Sequence, residues 1–354
     1  MYPAFRSNRS ALGFCLLIIA LLLLPIFLSW LGPPSREQAY KGIPVRYGVP
    51  GHEVDVIYDN KKNADVLFLG SSLVLTAIFP GPLEQALSAH IGRPAHVAVL
   101  GMTWQGLDLQ YYMLRDYLQT HKASVIVLNE PQAGLTTNEP HIEAFRWIRY
   151  GEANNDFEGI PFVRKVQIYG HMVLGAPREL ASRLRPNIID HQETTVAALD
   201  EYLKSRRDNG YHGSTFIPDK VDSTSGDPQA QLLPMNSPLI AKRGPNPGPY
   251  PMHFLRMILD LAKQNNCELV FMHIPTDSEY GMNTLPEVTD WARDNSANYQ
   301  MIGAPAASLF PGMSKQRFLH FYVDNHFNRN GSSLFTDAIT PAVIKAYDQS
   351  TNKF

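Results

Sequence analysis

The stretch Val66-Leu67-Phe68-Leu69-Gly70-Ser71-Ser72-Leu73 decides the fold of this chain. A short apolar run that stops at a glycine is typical of a strand that is buried on both faces and followed by a tight turn. Two later runs have the same form, since His96 to Leu100 is followed by Gly101, and Ser124 to Leu128 by Asn129. The sequence therefore predicts three short buried strands, each ended by a residue suited to a turn or cap.

Helical segments alternate with these strands. Apolar residues recur at helical spacing in Pro82 to His90, Leu107 to Thr120, Met252 to Lys263 and Ser333 to Tyr347. Glu268 to Ile274 adds a later strand. Alternating strands and helices form a parallel sheet with helices on both faces, so we predict an α/β fold with three layers, α/β/α.

The alternation breaks off between residues 140 and 251. This segment has helical patches, then the polar run Asp208 to Gln231, and then a linker-like stretch rich in proline and glycine, Arg243 to Pro249. We interpret residues 140–251 as a mainly helical insertion. A lid over the site, a surface for a partner and a larger scaffold all remain open as its role.

An uncharged apolar segment occupies residues 11–31. Its length matches the hydrocarbon core of a bilayer, which is about 30 Å thick, and predicts a transmembrane anchor. A cleaved signal peptide and a buried soluble helix are the alternatives. A signal peptide should have a shorter apolar region and a small-residue cleavage site, whereas Trp30-Leu31-Gly32-Pro33-Pro34 follows here.

The charges around the apolar segment predict its orientation. Arg6 and Arg9 precede it, whereas Arg36 is joined at once by Glu37. The positive-inside rule therefore places residues 1–10 in the cytoplasm, with residues 11–31 as a single pass through the inner or cytoplasmic membrane. Residues 32–51 would be a connector, and residues 52–354 a domain on the extracytoplasmic, periplasmic side.

Composition excludes several classes of function. The net charge is -2, with 31 basic against 33 acidic residues, and no stripe of lysine and arginine predicts a nucleic-acid partner. Cys15 and Cys267 are the only cysteines and lie in separate predicted elements, so no disulfide framework is expected. No phosphate-binding loop or dinucleotide fingerprint follows a strand, and we expect no cofactor.

The chemistry of a parallel sheet forms at the carboxyl ends of its strands, where Ser72, Gly101 and Asn129 all lie. A serine at a strand-to-helix turn exposes its hydroxyl above the sheet edge, so Ser72 is our candidate nucleophile. The N–H groups at the helix start, the backbone of Gly101 and the amide of Asn129 could bind the oxyanion. An ordinary turn with a capping serine is the alternative for Gly70-Ser71-Ser72.

A serine nucleophile needs a base, and the base needs a carboxylate that orients it. His326 and Asp324 fit these roles late in the chain. A metal site formed by His320, Asp324 and His326 is the alternative, although it leaves the serine and glycine positions unexplained. His273, within an apolar strand, is interpreted as a structural residue with a hydrogen bond rather than as part of the site.

Together these blocks resemble the SGNH (GDSL) hydrolase superfamily. The matching stretches are Gly70-Ser71-Ser72-Leu73, Gly101-Met102-Thr103, Asn129-Glu130 and Asp324-Asn325-His326-Phe327-Asn328, followed by Gly331 and a closing helix. The resemblance implies a flavodoxin-like fold, a catalytic set of Ser72, Asp324 and His326, and an oxyanion hole of Ser72, Gly101 and Asn129. With its N-terminal anchor, the chain is similar to membrane-bound members such as alginate-type O-acetyltransferases and the D-alanine transfer protein of teichoic acids.

The resemblance also implies a function. We expect a serine esterase or O-acyltransferase that acts on an acylated cell-envelope or exported polysaccharide, or on a small acyl ester, through an acyl-enzyme. A multi-span membrane acyltransferase is the partner that such a transferase would need. The alternative is a non-catalytic glycan-binding or assembly component of a polysaccharide export system.

Overall fold

The computed structural model describes residues 7–31, 35–41, 50–102, 106–129, 160–184, 229–240, 243–244, 247–285, 288–289, 298–323 and 325–351, and the single residues Phe5, Asp156 and Asn295. The chain divides into two compact units. The first comprises Met1–Ile43 and Glu139–Gln192, and the second comprises Pro44–Asn138 and Glu193–Phe354.

A six-stranded sheet forms the centre of the second unit. The strands in chain order are β1 (Ala64–Ser71), β2 (Val97–Met102), β3 (Ala123–Asn129), β4 (Gln231–Pro234), β5 (Arg243–Gly244), β6 (Glu268–Met272), β7 (Val288–Thr289), β8 (Gln300–Gly303), β9 (Tyr322–Val323) and β10 (His326–Phe327). The sheet has the order β2-β1-β3-β6-β8-β4, and only β4 runs antiparallel to its neighbour. Two further strand pairs are not part of this sheet. They are the parallel pair β5-β7 and the antiparallel hairpin β9-β10.

Helices cover both faces of this sheet, which confirms the predicted α/β class. Over both units, the helices of the described residues are α1 (Asn8–Trp30), α2 (Arg36–Lys41), α3 (Pro50–Val54), α4 (Ser72–Ala77), α5 (Pro80–Ile91), α6 (Leu107–Leu118), α7 (Phe162–Leu184), α8 (Pro249–Gln264), α9 (Ala306–Leu309), α10 (Lys315–Leu319) and α11 (Arg329–Thr351). Helices α4, α5 and α11 pack together on one face, and α6 packs with α8 on the other. A π-helical turn, Asp55–Asp59, continues α3.

Alternation along the strands decides which side chains meet the α4-α5-α11 layer. Val66 and Phe68 of β1 belong to the core beneath these helices, as do Val125 and Val127 of β3. Side chains two residues apart lie on the same face of a strand. Gly70 and Asn129 therefore lie on this face too, close to the start of α4.

The predicted strands are longer than their apolar runs suggest. We expected Gly70, Gly101 and Asn129 to follow their strands, but all three lie within them. The reason is the pairing, because Gly70 is in register with Gly101, and Asn129 with Met272. A partner strand holds a glycine in extended geometry, and this is information that the local sequence does not contain.

The two compact units divide the interval 140–251, which we interpreted as an insertion, after residue 192. Residues 139–192 belong to the first unit, but residues from 193 onward belong with the sheet. Gln231–Pro234 forms the edge strand β4, and α8 already begins at Pro249. Both helical patches that we placed within the insertion, around residues 141–149 and 195–206, lie outside the described residues.

In the first unit, α1 covers the predicted anchor and begins three residues earlier. Ser7 and Ser10 form a capping box at its start, and only Pro25 and Leu28 are buried within it. Among the described residues, α1 is the one helix long and apolar enough to cross a membrane. The connector that we predicted for residues 32–51 contains α2 and the first residues of α3.

Candidate active site

The candidate site lies where the chain reverses its direction across the sheet. It passes from β1 outward to β2 and then back to β3 on the other side of β1. Such a switch point leaves a crevice at the carboxyl ends of the strands, where ligands bind in open α/β sheets. Gly70, Gly101 and Asn129 all lie at this edge.

Ser72 is the first residue of α4, and the preceding Ser71 is its N-cap. The Ser71 hydroxyl accepts a hydrogen bond of 3.0 Å from the N–H of Leu73. This explains the serine pair chemically, because one hydroxyl caps the helix while the other stays available. We considered an ordinary turn with a capping serine as the alternative to a nucleophile here. The capping role thus belongs to Ser71.

A short hydrogen bond joins Ser72 to His326. The Ser72 Oγ lies 2.8 Å from Nε2 of His326, although 254 positions separate the two residues in the chain. Both residues are only partly buried, and the part of each that is exposed can be reached by a substrate. If Oγ donates, Nε2 is the unprotonated nitrogen, which is the tautomer that a general base requires.

His326 is held by a two-strand hairpin, which sequence reasoning did not predict. It begins β10, which pairs with β9 so that His326 lies opposite Val323. Asp324, our candidate orienting carboxylate, lies outside the described residues. Asn325, in the turn between β9 and β10, has a left-handed backbone with φ 63°.

Asn325 and Asp277 form a contact that sequence reasoning missed. In the orientation that satisfies both groups, the amide of Asn325 donates to the Asp277 carboxylate, with Oδ2 at 3.1 Å. Asp277 begins a 3-10 turn, Asp277–Glu279, which follows β6. The turn after β6 thereby braces the residue that precedes His326. A positive φ at asparagine cannot be read from sequence, but asparagine is enriched among the residues that adopt it.

An aromatic cluster fixes the other side of the hairpin. Phe327 stacks on Tyr322 with 4.7 Å between ring centroids and also contacts Phe335 of α11. The buried hydroxyl of Tyr322 has no hydrogen-bond partner among the described residues. Burial, together with the charges of Glu279 and Asp277, raises the pKa of Tyr322 well above its ordinary value, so this hydroxyl stays neutral.

The residues that follow His326 have structural roles. The Asn328 side chain accepts from the N–H groups of Asn330 and Gly331 and thereby caps α11, while its amide donates to the carbonyl of His320. A Cβ at Gly331 would collide with the backbone carbonyl of Phe321 and with the ring of Phe327. The stretch after the histidine thus serves as a helix start that must pack closely against the hairpin.

Gly101 is required by packing at the sheet edge. A Cβ there would lie 3.0 Å from the carbonyl oxygens of Gly70 and Ser71 and from Cγ of Leu75. Two of these three atoms belong to the backbone and cannot rotate away. Asn129 is buried, and its Cβ lies 3.0 Å from the position that a Cβ on Gly70 would take. Asn129 therefore lies beside Gly70, and Gly70 precedes the candidate nucleophile Ser72 by two residues.

Helix α3 covers the exposed edge of β2. Nε2 of His52 lies 2.7 Å from the carbonyl oxygen of Val99, so this nitrogen carries the proton. Glu53 is completely buried, and neither of its carboxyl oxygens has a hydrogen bond of normal geometry among the described residues. Burial raises the pKa of Glu53 well above its ordinary value, and the nearby N–H of Gly101 opposes this shift. The N–H that we expected in the oxyanion hole thus lies beside a carboxyl group.

His273 has the structural role that its sequence context indicated. It is completely buried, and its Nε2 lies 2.9 Å from Oε2 of Glu279. The N–H of Thr276 donates to the other carboxyl oxygen at 2.8 Å. Burial alone would raise the pKa of Glu279, but the hydrogen bond and charge of His273, with the bonds from Thr276, hold it below its ordinary value.

Two other features bear on the alternatives. A cleft of about 910 Å³ opens at the opposite edge of the sheet, between residues such as Lys62, Arg93 and Asn265, and is not part of the Ser72 site.

Among the described residues no group of three or more histidine, cysteine or carboxylate side chains could hold a metal ion. The alternative metal set includes Asp324, which lies outside those residues.

No protein-family model matches the chain, and no curated protein has a significant match to its sequence. The geometry of Ser72, His326 and their surroundings is therefore the basis for assigning a function.

Proposed function

We propose that this chain is a membrane-anchored serine esterase or O-acyltransferase of the SGNH hydrolase type. Its substrate would be an acyl ester of a cell-envelope or exported polysaccharide, and its mechanism would pass through an acyl-enzyme on Ser72. The hydrogen bond of 2.8 Å between Ser72 Oγ and His326 Nε2 is the single observation that carries the proposal. A nucleophile and base within hydrogen-bond reach at a strand-to-helix turn are the signature of an activated serine.

The fold supports this family assignment in outline. The parallel strands β2-β1-β3-β6-β8 follow the flavodoxin-like order, in which the chain crosses over the first strand once. The serine follows the first strand and the histidine precedes the last helix, as the resemblance implies. The antiparallel edge strand β4 is an addition to that order.

Acylation begins at Ser72. His326 Nε2 accepts the hydroxyl proton while Oγ attacks the carbonyl carbon of the ester, and the carbonyl electrons move onto its oxygen. The N–H of Ser72 and the amide of Asn129 are our proposed donors to this oxyanion, and one such donor is worth about 3 kcal/mol in the transition state. Gly101 has a packing role in this scheme, because its N–H faces Glu53. Collapse of the intermediate expels an alkoxide, which takes the proton from His326.

Deacylation repeats these steps with a new hydroxyl. His326 removes a proton from water or from a sugar hydroxyl, whose oxygen attacks the acyl-serine, and Ser72 recovers its proton when the carbonyl re-forms. Asp324 would orient His326 and stabilise its cationic form. Whether water or sugar accepts the acyl group decides between esterase and transferase. Release of acetate alone would identify an esterase, and formation of acetylated oligosaccharide would identify a transferase.

The location of the enzyme forms part of the proposal. We propose that α1 crosses the inner or cytoplasmic membrane with residues 1–10 inside, so that the sheet unit faces the periplasm. A transferase on that side needs acyl groups carried through the membrane, and a multi-span acyltransferase would supply them.

An active-site probe tests the proposal directly. The full chain in mild detergent is treated with a fluorophosphonate, and its intact mass is compared with that of the Ser72→Ala, His326→Ala and Ser71→Ala variants. We expect one adduct on the wild-type chain, none on Ser72→Ala, and labelling slowed by at least about 1,000-fold in His326→Ala. Ser71→Ala is the matched control, because it removes the neighbouring hydroxyl and should retain the adduct.

Absence of an adduct on a folded wild-type chain would overturn the enzymatic proposal. The glycan-binding or assembly role would then take its place, and a Ser72→Ala chain would fully restore polysaccharide export in cells that lack the protein. Ester hydrolysis that a chelator abolishes and that Ser72→Ala leaves unchanged would instead support the metal alternative.

A further inference from the structure

Helix α7 leaves a second apolar face uncovered. Phe162, Val163, Val166, Leu174 and Leu184 are between 56% and 78% exposed, and on a helical projection they share one side of α7. The side chains of Ile168, Met172 and Ala176, on the other side, are buried. A helix that is apolar on both sides belongs in a core or in lipid, not at a water-facing surface.

The contacts of α7 with α1 fix where this face lies. The Tyr169 hydroxyl donates a hydrogen bond of 2.6 Å to the carbonyl of Leu22, in the apolar part of α1. Ala176 and Leu180 pack in one cluster with Leu24 and Leu28 of the same helix. The middle of α7 is thereby held beside the half of α1 that precedes Trp30. A helix in contact with the spanning segment at that level lies at the depth of the lipid.

The charges of α7 agree with this position. The stretch from Val166 to Ala176 contains no Asp, Glu, Lys or Arg, whereas Arg164 and Lys165 precede it, and Arg178, Glu179 and Arg183 follow it, so that basic residues are in excess at both ends. Apolar stretches of this length are too short to span a bilayer and are typical of buried core helices and of interfacial or re-entrant segments. The exposed face of α7 argues against a buried core helix. Basic residues at both ends suit the anionic headgroups that border such a segment.

We propose that α7 is a membrane-embedded helix that lies against α1 in one leaflet, with Phe162, Val163, Val166, Leu174 and Leu184 facing the acyl chains. This inference rests on the proposed membrane anchoring by α1, and it makes the first unit a two-helix membrane element instead of a single anchor. The occupant of the exposed face is therefore phospholipid.

Fluorescence quenching from within the bilayer tests this inference in the full chain. A Cys267→Ala chain retains Cys15 of α1 as a reporter of the anchor, and a chain that lacks both native cysteines receives Val166→Cys or Leu174→Cys. Each chain is labelled with an environment-sensitive fluorophore and reconstituted into vesicles of neutral and anionic phospholipids that carry a spin label on the acyl chain. Ala89→Cys, an exposed position on α5, is the matched control in water.

We expect Val166→Cys and Leu174→Cys to lose most of their fluorescence, as Cys15 does, while Ala89→Cys retains its own. Quenching of Cys15 without quenching at positions 166 and 174 would overturn the inference and leave the anchor intact. Absence of quenching at Cys15 would overturn the anchor itself. Val166 and Leu174 are both exposed, so a cysteine at either position should leave the fold intact. If one variant nevertheless fails to fold, the quenching of the other still tests the inference.

Discussion

Asn325 adopts a left-handed backbone with φ 63° directly before the candidate base, and its amide is held by Asp277. We assign Asn325 and Asp277 as positioning residues, since they act on substrate only through His326. A residue with this φ is strained unless it is glycine or asparagine. The backbone conformation and the hydrogen bond therefore make separate contributions that two substitutions can distinguish.

We expect Asn325→Gly to retain the turn and lose the bond to Asp277, whereas Asn325→Ala loses the bond and also strains the turn. Fluorophosphonate labelling of Ser72 should slow by about 10-fold in the glycine variant and by more in the alanine variant, because misplaced catalytic groups cost rate steeply. Asp277→Ala, which removes the acceptor, should resemble Asn325→Gly. Equal labelling rates in wild type and Asn325→Gly would contradict the positioning role, provided that thermal unfolding shows both chains folded.

At the residue scale, Ser72 and His326 could be inferred from sequence because their chemistry and local context are distinctive. Glu53 could not, since nothing near it in sequence indicates that its carboxyl is buried beside the N–H of Gly101. The same holds for the pairing of Asp277 with Asn325. Contacts between residues this far apart follow from packing and have no local pattern.

Among the elements, α11 supports α4, the helix that carries the candidate nucleophile Ser72. Ser332 donates to the carbonyl of Thr76, at the end of α4, and the Thr336 hydroxyl donates to the carbonyl of Ala77 at 3.1 Å. Thr336 also accepts from the N–H of Phe79 at 3.0 Å. The last turn of α4 leaves carbonyls without partners within the helix, and α11 satisfies them.

Thr336→Val should destabilise the chain by about 1–3 kcal/mol, because the replacement has nearly the same shape but leaves the N–H of Phe79 and a buried carbonyl unpaired. Chemical denaturation of the full chain in detergent measures this cost. The matched control is Thr340→Val, whose hydroxyl bonds only to the Thr336 carbonyl within the same helix. If Thr340→Val lowered the free energy of unfolding as much as Thr336→Val does, the bridging role of α11 would be refuted.

The elements also show where sequence boundaries were unreliable. Helix α5 begins two residues before the predicted segment, at Pro80, and α11 begins four residues earlier than predicted, at Arg329. The cap on α11 is the Asn328 side chain. Proline and polar residues in a first helical turn lack apolar periodicity, so the pattern that detects a helix misses its start.

For the whole molecule, two buried carboxyl groups of the sheet unit should give opposite dependences of stability on pH. The folded-state pKa of Glu53 is raised above its ordinary value of 4.5, so the folded chain binds this proton at a pH where the unfolded chain has lost it. Stability then falls as the pH rises from the ordinary value through the folded-state pKa. The lowered pKa of Glu279 has the reverse effect, because its stabilisation is present above 4.5 and is lost as the pH falls through the lowered value.

Glu53→Gln should therefore gain stability relative to wild type as the pH rises from about 5 to about 8, since the amide cannot ionise in its buried site. Glu279→Gln should be less stable than wild type at neutral pH and should approach it in acid. Thermal unfolding of the full chains, followed by near-ultraviolet circular dichroism from about pH 3 to about pH 8, measures both differences. A Glu53→Gln difference that stays constant with pH would mean that this carboxyl does not titrate between the two states.

The sequence by itself determined the α/β class, the apolar N-terminal helix and the residues suited to an acyl-transfer site. These follow from hydrophobic periodicity and from side-chain chemistry, which act over a few neighbouring residues. Only the tertiary structure decided that Ser72 and His326 lie 2.8 Å apart, that β4 closes the sheet edge, and that α7 packs against α1. Those outcomes depend on which distant surfaces bury each other, and the physical reason is that burial energy is shared among segments that no local pattern connects.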